Sequence, residues 1–202
     1  MLADGMHDVP PGKVATVVTH LEMRARADLS GRAAPHGWTL RRVATPDLDW
    51  YRQIFQAVGE DWLWFSRRFM SDKDLAAIVH HDDVAIWTLS KDGTDAALLE
   101  LDFRTAGECE LAFFGVTSDL IGAGAGRFLM DVAIDQAWAR AISRLHVHTC
   151  TLDSPQALGF YAVPGLSPSA SRSKSPKTRA CPKGMTPPWP RMCRSLRPKR
   201  HR

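Results

Sequence analysis

The spacing of apolar residues along the chain switches between two and about three and a half, and each switch predicts an element. Val14-Ala-Thr-Val-Val-Thr-His-Leu-Glu-Met23 is rich in β-branched residues and follows Pro10-Pro11-Gly12, which predicts a leading strand after a turn. Arg24 to Gly37 reads as loop, and Trp38 to Val43 alternates large apolar with polar residues. Thr45-Pro46-Asp47 offers an N-cap with proline at the first helical position, predicting a helix from Pro46 to about Val58. Its Leu48, Tyr51, Ile54, Phe55 and Val58 recur at helical spacing and form a core face. Ser71-Asp-Lys-Asp74 is a capping-type start to a short helix ending near His80.

Two strands follow, Val84 to Leu89 and Ala96 to Phe103, joined by a turn in which Asp92-Gly93 is a strong hairpin signal. A further strand, Cys109 to Val116, leads through a glycine-rich loop into a helix from about Gly124 to Arg140. Arg144 to Thr151 forms another strand, and Ser154-Pro155 starts a short helix that reaches Tyr161. This order predicts a mixed α/β sheet with a right-handed crossover in its second half. From Val163 onward the pattern stops, which predicts a disordered tail.

Charge sharpens that division. The net charge of +4 averages two populations, because the last acidic residue is Asp153. Of the 26 Lys and Arg, 11 follow Tyr161, leaving 15 basic against 22 acidic residues before it, a balance of −7. The body is acidic and the tail basic. The N-terminus has no signal-like apolar run and no segment approaches membrane-spanning length, so a cytoplasmic location is expected. Cys109, Cys150, Cys181 and Cys193 show neither a CxxC pair nor a dense disulfide framework, so reduced thiols are expected.

The chemistry concentrates in Glu110-Leu-Ala-Phe-Phe-Gly-Val116 and in the loop Gly122-Ala-Gly124-Ala-Gly126-Arg127 that opens a helix. Glycines let a ligand approach the backbone, and free amides at a helix start favour an anion such as a pyrophosphate. A plain connector would use the same residues. No Lys-Ser/Thr pair completes a P-loop, and Arg127 stands where a dinucleotide fingerprint needs glycine. His146-Val-His148-Thr-Cys150 places three potential metal ligands on one strand face, but no fourth ligand is evident and no metal is expected.

Strand, loop, helix, strand and the closing Ala157-Leu-Gly-Phe-Tyr161 together resemble the core of the GNAT family of N-acetyltransferases, over about the middle three-fifths of the chain. The resemblance implies a mostly antiparallel central sheet with flanking helices. It also implies an acetyl-CoA donor bound where the strands Cys109 to Val116 and Arg144 to Thr151 splay, and a primary amine acceptor. The family's loop pattern falls on Ile121, Gly124 and Gly126, with Ile121 departing from the usual polar residue. By the same resemblance Phe114, Gly115 and Val116 would bind the pantetheine arm. Gly122, Gly124, Gly126 and Arg127 would bind the pyrophosphate, and Asp153 would lie near the pantetheine. Glu110 is the candidate general base and Tyr161 the candidate general acid; a paired strand carboxylate and a core aromatic are the alternatives. Trp62 and Trp64 are candidates for an acceptor pocket, or else anchor their loop to the core.

Three regions result: an N-terminal strand and loop extension over 1–37, a GNAT-like core over 38–162 and a basic tail over 163–202. The resemblance calls for a Gly-Phe pair after Tyr161 and two more strands, and neither is visible. One hypothesis is a frameshift, since codons exist for Val163 to Pro168 that yield Gly-Phe when read one base earlier; the gene's nucleotide sequence decides it. Without those strands the edge at Arg144 to Thr151 would be unpaired. Competing classes are a nucleic-acid-binding arm at Arg191 to Arg202 and a non-catalytic CoA-binding protein. No membrane partner is expected, and a homodimer is left open.

Overall fold

In a computed structural model of the protein, residues 8–9, 13–162 and 165–169 are described, together with the backbone of 175–180. Two compact units are distinguished, one comprising residues 1–16 and 176–202 and the other residues 17–175. In the smaller one, the described elements are the start of β1 (Lys13–Met23) and β9 (Ser175–Ala180), strands that pair.

The larger unit is built on an open sheet in the order β2-β3-β5-β6-β7-β1-β8, with β4 paired to β3. Its strands are β2 (Thr39–Val43), β3 (Val84–Lys91), β4 (Thr94–Asp95), β5 (Ala97–Asp102), β6 (Glu108–Val116), β7 (Arg144–Cys150) and β8 (Ser167–Pro168), with β1 from Val17 onward. Among the described pairings of this unit all are antiparallel except β6 with β7, which are joined through α3 (Ala125–Trp138). Asp92 and Gly93 both take positive φ, 51° and 79°, the geometry the Asp-Gly signal predicted for the β3–β4 turn.

The two sheet faces carry different helices. On one, α1 (Leu48–Gly59) and α2 (Asp72–Val79) bury Tyr51, Phe55, Leu75 and Val79 against Val84, Ile86 and Leu98. On the other, α3 buries Leu129, Met130, Ala133 and Ile134 against Leu99, Leu101, Leu111, Leu145 and Val147. Each fully buried large side chain contributes about 1.5–3 kcal/mol. The α1 cap falls on Asp47 rather than Thr45. Its carboxylate accepts from the amides of Asp49 and Trp50 at 3.0 and 2.9 Å, satisfying two of the donors that the start of this helix leaves open.

Two expectations about the sheet's far side are corrected. The edge of β7 is covered by β1, in register from Val18 opposite Cys150 to Met23 opposite Leu145. Leu21 and Met23 thereby enter the α3-side core. Chain after Tyr161 also contributes strand: β8 pairs with β1 at Leu21 and Glu22, by backbone hydrogen bonding that needs no apolar periodicity. Residues 170–174 and 181–202, with Cys181, Cys193 and the basic cluster from Arg191, lie outside the described residues, as does Val163. No described helix is long and apolar enough to cross a membrane.

Candidate active site

The sheet opens at its parallel pair. Glu108, Cys109 and Glu110 face Arg144, Leu145 and His146, and there the β6–β7 ladder stops, although both strands run on. An extra residue in β6 starts the divergence: Glu100 pairs with Phe113 but Leu101 pairs with Leu111, leaving Ala112 bulged. Bulges bend a strand and end its pairing. From Leu111 onward, no described strand pairs with the β7-facing edge of β6. Phe114, Gly115 and Val116 therefore line a V-shaped opening while keeping their partners Leu99, Leu98 and Ala97 on β5.

The glycine loop stands next to that opening. Gly122 and Gly124 hold φ at +83° and +85°, which bulkier residues adopt only under strain, and Gly124 is the N-cap of α3 without any side-chain cap bond. The first-turn amides of α3 are thus left for an anion. Ile121 is largely exposed, at 61 %. Arg127 turns to the closing helix α4 (Ala157–Ala162), donating to the Phe160 carbonyl at 3.0 Å and lying over its ring at 4.4 Å.

A cation that sequence reading did not single out comes from the 24–37 loop. Asp131 of α3 accepts from Ser30 N, Ser30 Oγ and Gly31 N at 2.9, 2.7 and 2.9 Å, and Asp135 accepts from Arg26 at 2.7 Å. The loop is thereby strapped along α3. Arg32 Nη1 comes 3.6 Å from the position of a Cβ on Gly124, and the guanidinium has no acidic partner among the described residues.

Tyr161 and the aromatic residues occupy the opening. Tyr161 is buried, packs edge-on to Phe114 at 6.2 Å, and its hydroxyl has no described hydrogen-bond partner. Burial, aided by the charge of Asp153, pushes its pKa far above the ordinary phenol range. Trp64 bridges the two strands: its ring packs on Phe113 of β6 at 5.2 Å, and Nε1 donates at 3.4 Å to Asp153 beyond β7. Asp153 in turn accepts from Cys150 N and Thr149 Oγ1 at 2.7 and 2.9 Å, so its carboxylate is engaged within the fold. Trp62 is half-buried and lies two residues earlier, at the end of the 3₁₀ segment Glu60–Trp62.

Trp64 reaches this position because the chain reverses at Leu63, a non-glycine residue at φ 57°, while Trp64 N bonds the Gly59 carbonyl at 2.9 Å. A Cβ on Gly59 would stand 2.4 Å from the Trp64 Cβ, Cγ and Cδ2 atoms. Gly59→Ala is therefore expected to lower stability by about 1–3 kcal/mol through overpacking. Urea unfolding measures this, and a loss under about 0.5 kcal/mol would contradict the packing described.

Glu110 points to the α1–α2 face, opposite α3, and its Oε1 lies 3.1 Å from His148 Nδ1. That hydrogen bond is the main reason its pKa is lowered, so Glu110 is ionised at neutral pH. Strand alternation does put His146, His148 and Cys150 on one face. There, however, His146 lies 3.5 Å from Glu108 while His148 bonds Glu110. Among the described residues no cluster of three or more His, Cys, Asp or Glu could hold a metal ion.

The model of the Acetyltransferase (GNAT) family matches residues 48–163, more than half of the chain. Solved structures share the fold at low identity. A GCN5-related N-acetyltransferase from Sphaerobacter thermophilus aligns at TM-score 0.62 and 12% identity, over 81% of this chain and 50% of that one. The ribosomal-protein-S18-alanine N-acetyltransferase of Escherichia coli aligns at 0.53 and 21%, over 75% and 97%. An aminoglycoside acetyltransferase from an uncultured soil metagenomic sample aligns at 0.53 and 14%, over 64% and 88%. The chain spans 60% of a functionally unknown Staphylococcus epidermidis protein (15% identity, TM-score 0.56), so some of these relatives are considerably longer. Comparison with curated proteins found no match. With the splayed parallel pair, the glycine loop at the start of α3 and the family match in agreement, the chain belongs to the GNAT acetyltransferase family.

Proposed function

We propose that the protein transfers an acetyl group from acetyl-CoA to a primary amine by direct attack. The observation that carries this reading is the end of the β6–β7 ladder at Glu110 and His146, beside a helix start whose amides are uncapped. A thioester entering between the strands would meet the free backbone edge of Phe114 to Val116. Its pyrophosphate would meet Gly122, Gly124 and Gly126. The absent polar side chain at Ile121 is made good by Arg32, the cation strapped beside Gly124. No metal is needed for this chemistry.

Glu110 belongs to the general base that removes the ammonium's proton, and Tyr161 is the proton donor for the departing sulfur. A phenol whose pKa burial holds so high keeps its proton at every working pH. The acidic body, −7 before the tail, attracts a cationic acceptor by long-range steering. Aminoglycosides and a ribosomal-protein alanine, for which two of the structural neighbours above are named, are the first acceptor classes to try.

The test is thiol release from acetyl-CoA in the presence of a panel of amines. The reading expects amine-dependent turnover; a folded protein that consumes no acetyl-CoA with any amine would contradict it. Arg32→Ala is expected to weaken acetyl-CoA binding about fivefold, through loss of a charge-assisted contact, and the difference should shrink as salt is raised. An unchanged affinity would remove Arg32 from the site.

A further inference from the structure

Beyond the cover of α1 and α2, the sheet carries a field of ionisable side chains on their side. Registers align Asp102 of β5, Glu110 of β6, His146 of β7 and Glu22 of β1 in one transverse row. His148, two residues beyond His146, is the first residue of β7 on this face past the last rung of the ladder, and its register partner on β1 is His20. The contact from Glu110 to His148 therefore spans the two strands where they part. Resting on the transferase reading above, we propose that Glu110 and His148 act as one unit: His148 receives the acceptor's proton at Nε2, and Glu110 is its positioning carboxylate.

Three observations carry this. An ionised carboxylate offers only lone pairs, so at 3.1 Å the hydrogen between Glu110 Oε1 and His148 Nδ1 belongs to the ring. The neutral imidazole then has its free lone pair on Nε2, in the tautomer a base requires. Second, the two side chains are 39 % and 34 % exposed, so the ring is open to solvent and to a ligand in the splay. Third, the same hydrogen bond lowers the proton affinity of Glu110 below that of an ordinary carboxylate, which makes it a poor acceptor for an ammonium proton by itself.

The other charged groups on this face are committed elsewhere. Asp102 is held by Arg104 at 3.0 and 2.6 Å. Arg144 bridges Glu22 at 2.7 Å and Glu108 at 3.0 Å, and Glu22 also takes Arg24 and Ser169. His146 faces Glu108, and burial lowers its proton affinity. His20 lies against His148 with ring centroids 5.9 Å apart.

The protons balance. Of the three on the ammonium, one passes to His148 Nε2 and on to solvent, which frees the nitrogen lone pair to attack the thioester carbonyl. The C–N bond forms and the C–S bond breaks. One proton stays on the amide nitrogen. Tyr161 gives its proton to the sulfur and recovers the third.

Two measurements test the pair. In the ligand-free protein above pH 8, ring-nitrogen NMR correlations should show a histidine with Nδ1 protonated and Nε2 bare, absent from the spectrum of His148→Gln. An Nε2-protonated His148 overturns the proposal, whether or not any acceptor is found. With acetyl-CoA and the best amine of the panel, wild-type kcat/KM should fall on acidification, as a base that takes up a proton stops accepting one from the ammonium. His148→Gln should lose at least about a hundredfold in kcat and lose that limb, with acetyl-CoA affinity kept. Wild-type turnover and an unchanged profile in His148→Gln also overturn it. Failure of every amine with the wild type would instead count against the transferase reading, leaving the tautomer to decide the pair.

Discussion

Glu110→Gln is expected to lower kcat by about two to four orders of magnitude while leaving acetyl-CoA affinity within about twofold. The carboxylate sits at the last rung of the β6–β7 ladder, away from the glycine loop, so it contributes to proton removal and not to donor binding. Glutamine preserves size and an acceptor oxygen for the His148 ring but removes the negative charge that supports a proton there. The expected signature is thus a fall in kcat without a matching rise in the KM for acetyl-CoA. A variant within tenfold of wild-type turnover would show that neither Glu110 nor its pairing with His148 drives deprotonation. The alternative, a strand carboxylate merely paired with a cation, would then hold.

The second large effect is on stability, at a site the reaction does not use. Glu100, fully buried at the centre of β5, accepts from Arg67 at 2.7 Å and from the Tyr51 hydroxyl. Arg67 is itself buried, lies 5.1 Å over the Phe113 ring, and leaves its Nε without a described partner. Arg67→Met strands an uncompensated carboxylate in the core between α1 and the sheet, so a loss of about 3–5 kcal/mol is expected in urea unfolding. Adding Glu100→Gln should recover most of it, because the buried charge goes with its partner. A double variant as unstable as the sum of the single ones would contradict this coupling. Burial, together with the Glu100 charge, raises the pKa of Tyr51 well above its ordinary value. The stability that comes from its protonated hydroxyl is therefore fully present below about pH 10 and lost only as pH rises through the higher folded value.

These sites differ in how far the sequence shows them. Elements whose signal is local were legible: the α1 face of Tyr51, Ile54, Phe55 and Val58, the Ser71 cap, the Asp92-Gly93 turn and the glycines before α3 all lie where periodicity and turn chemistry put them. What depends on pairing between distant segments was not. Alternation showed that His146 and His148 share a face, but only the parallel register of β6 with β7 sets His148 beside Glu110. The cover of the β7 edge by β1 could not be read either, because a strand's pattern specifies its buried face and not its neighbour. Arg32 was part of an unstructured-looking loop; its place depends on Asp131, 99 positions later in the chain, accepting from Ser30 and Gly31. The Glu100–Arg67 pair lacks any sequence signature, since a glutamate or an arginine is by default a surface residue.

The central claim is that the opening between β6 and β7, with the start of α3 beside it, is an acyl-CoA site. Calorimetric titration of the full chain with acetyl-CoA tests it most directly, with circular dichroism confirming that the sample is folded. The account predicts saturable binding at one site per chain, in the micromolar to millimolar range usual for enzyme substrates, and weaker in Arg32→Ala. A folded protein that shows no saturable heat up to millimolar acetyl-CoA would contradict it.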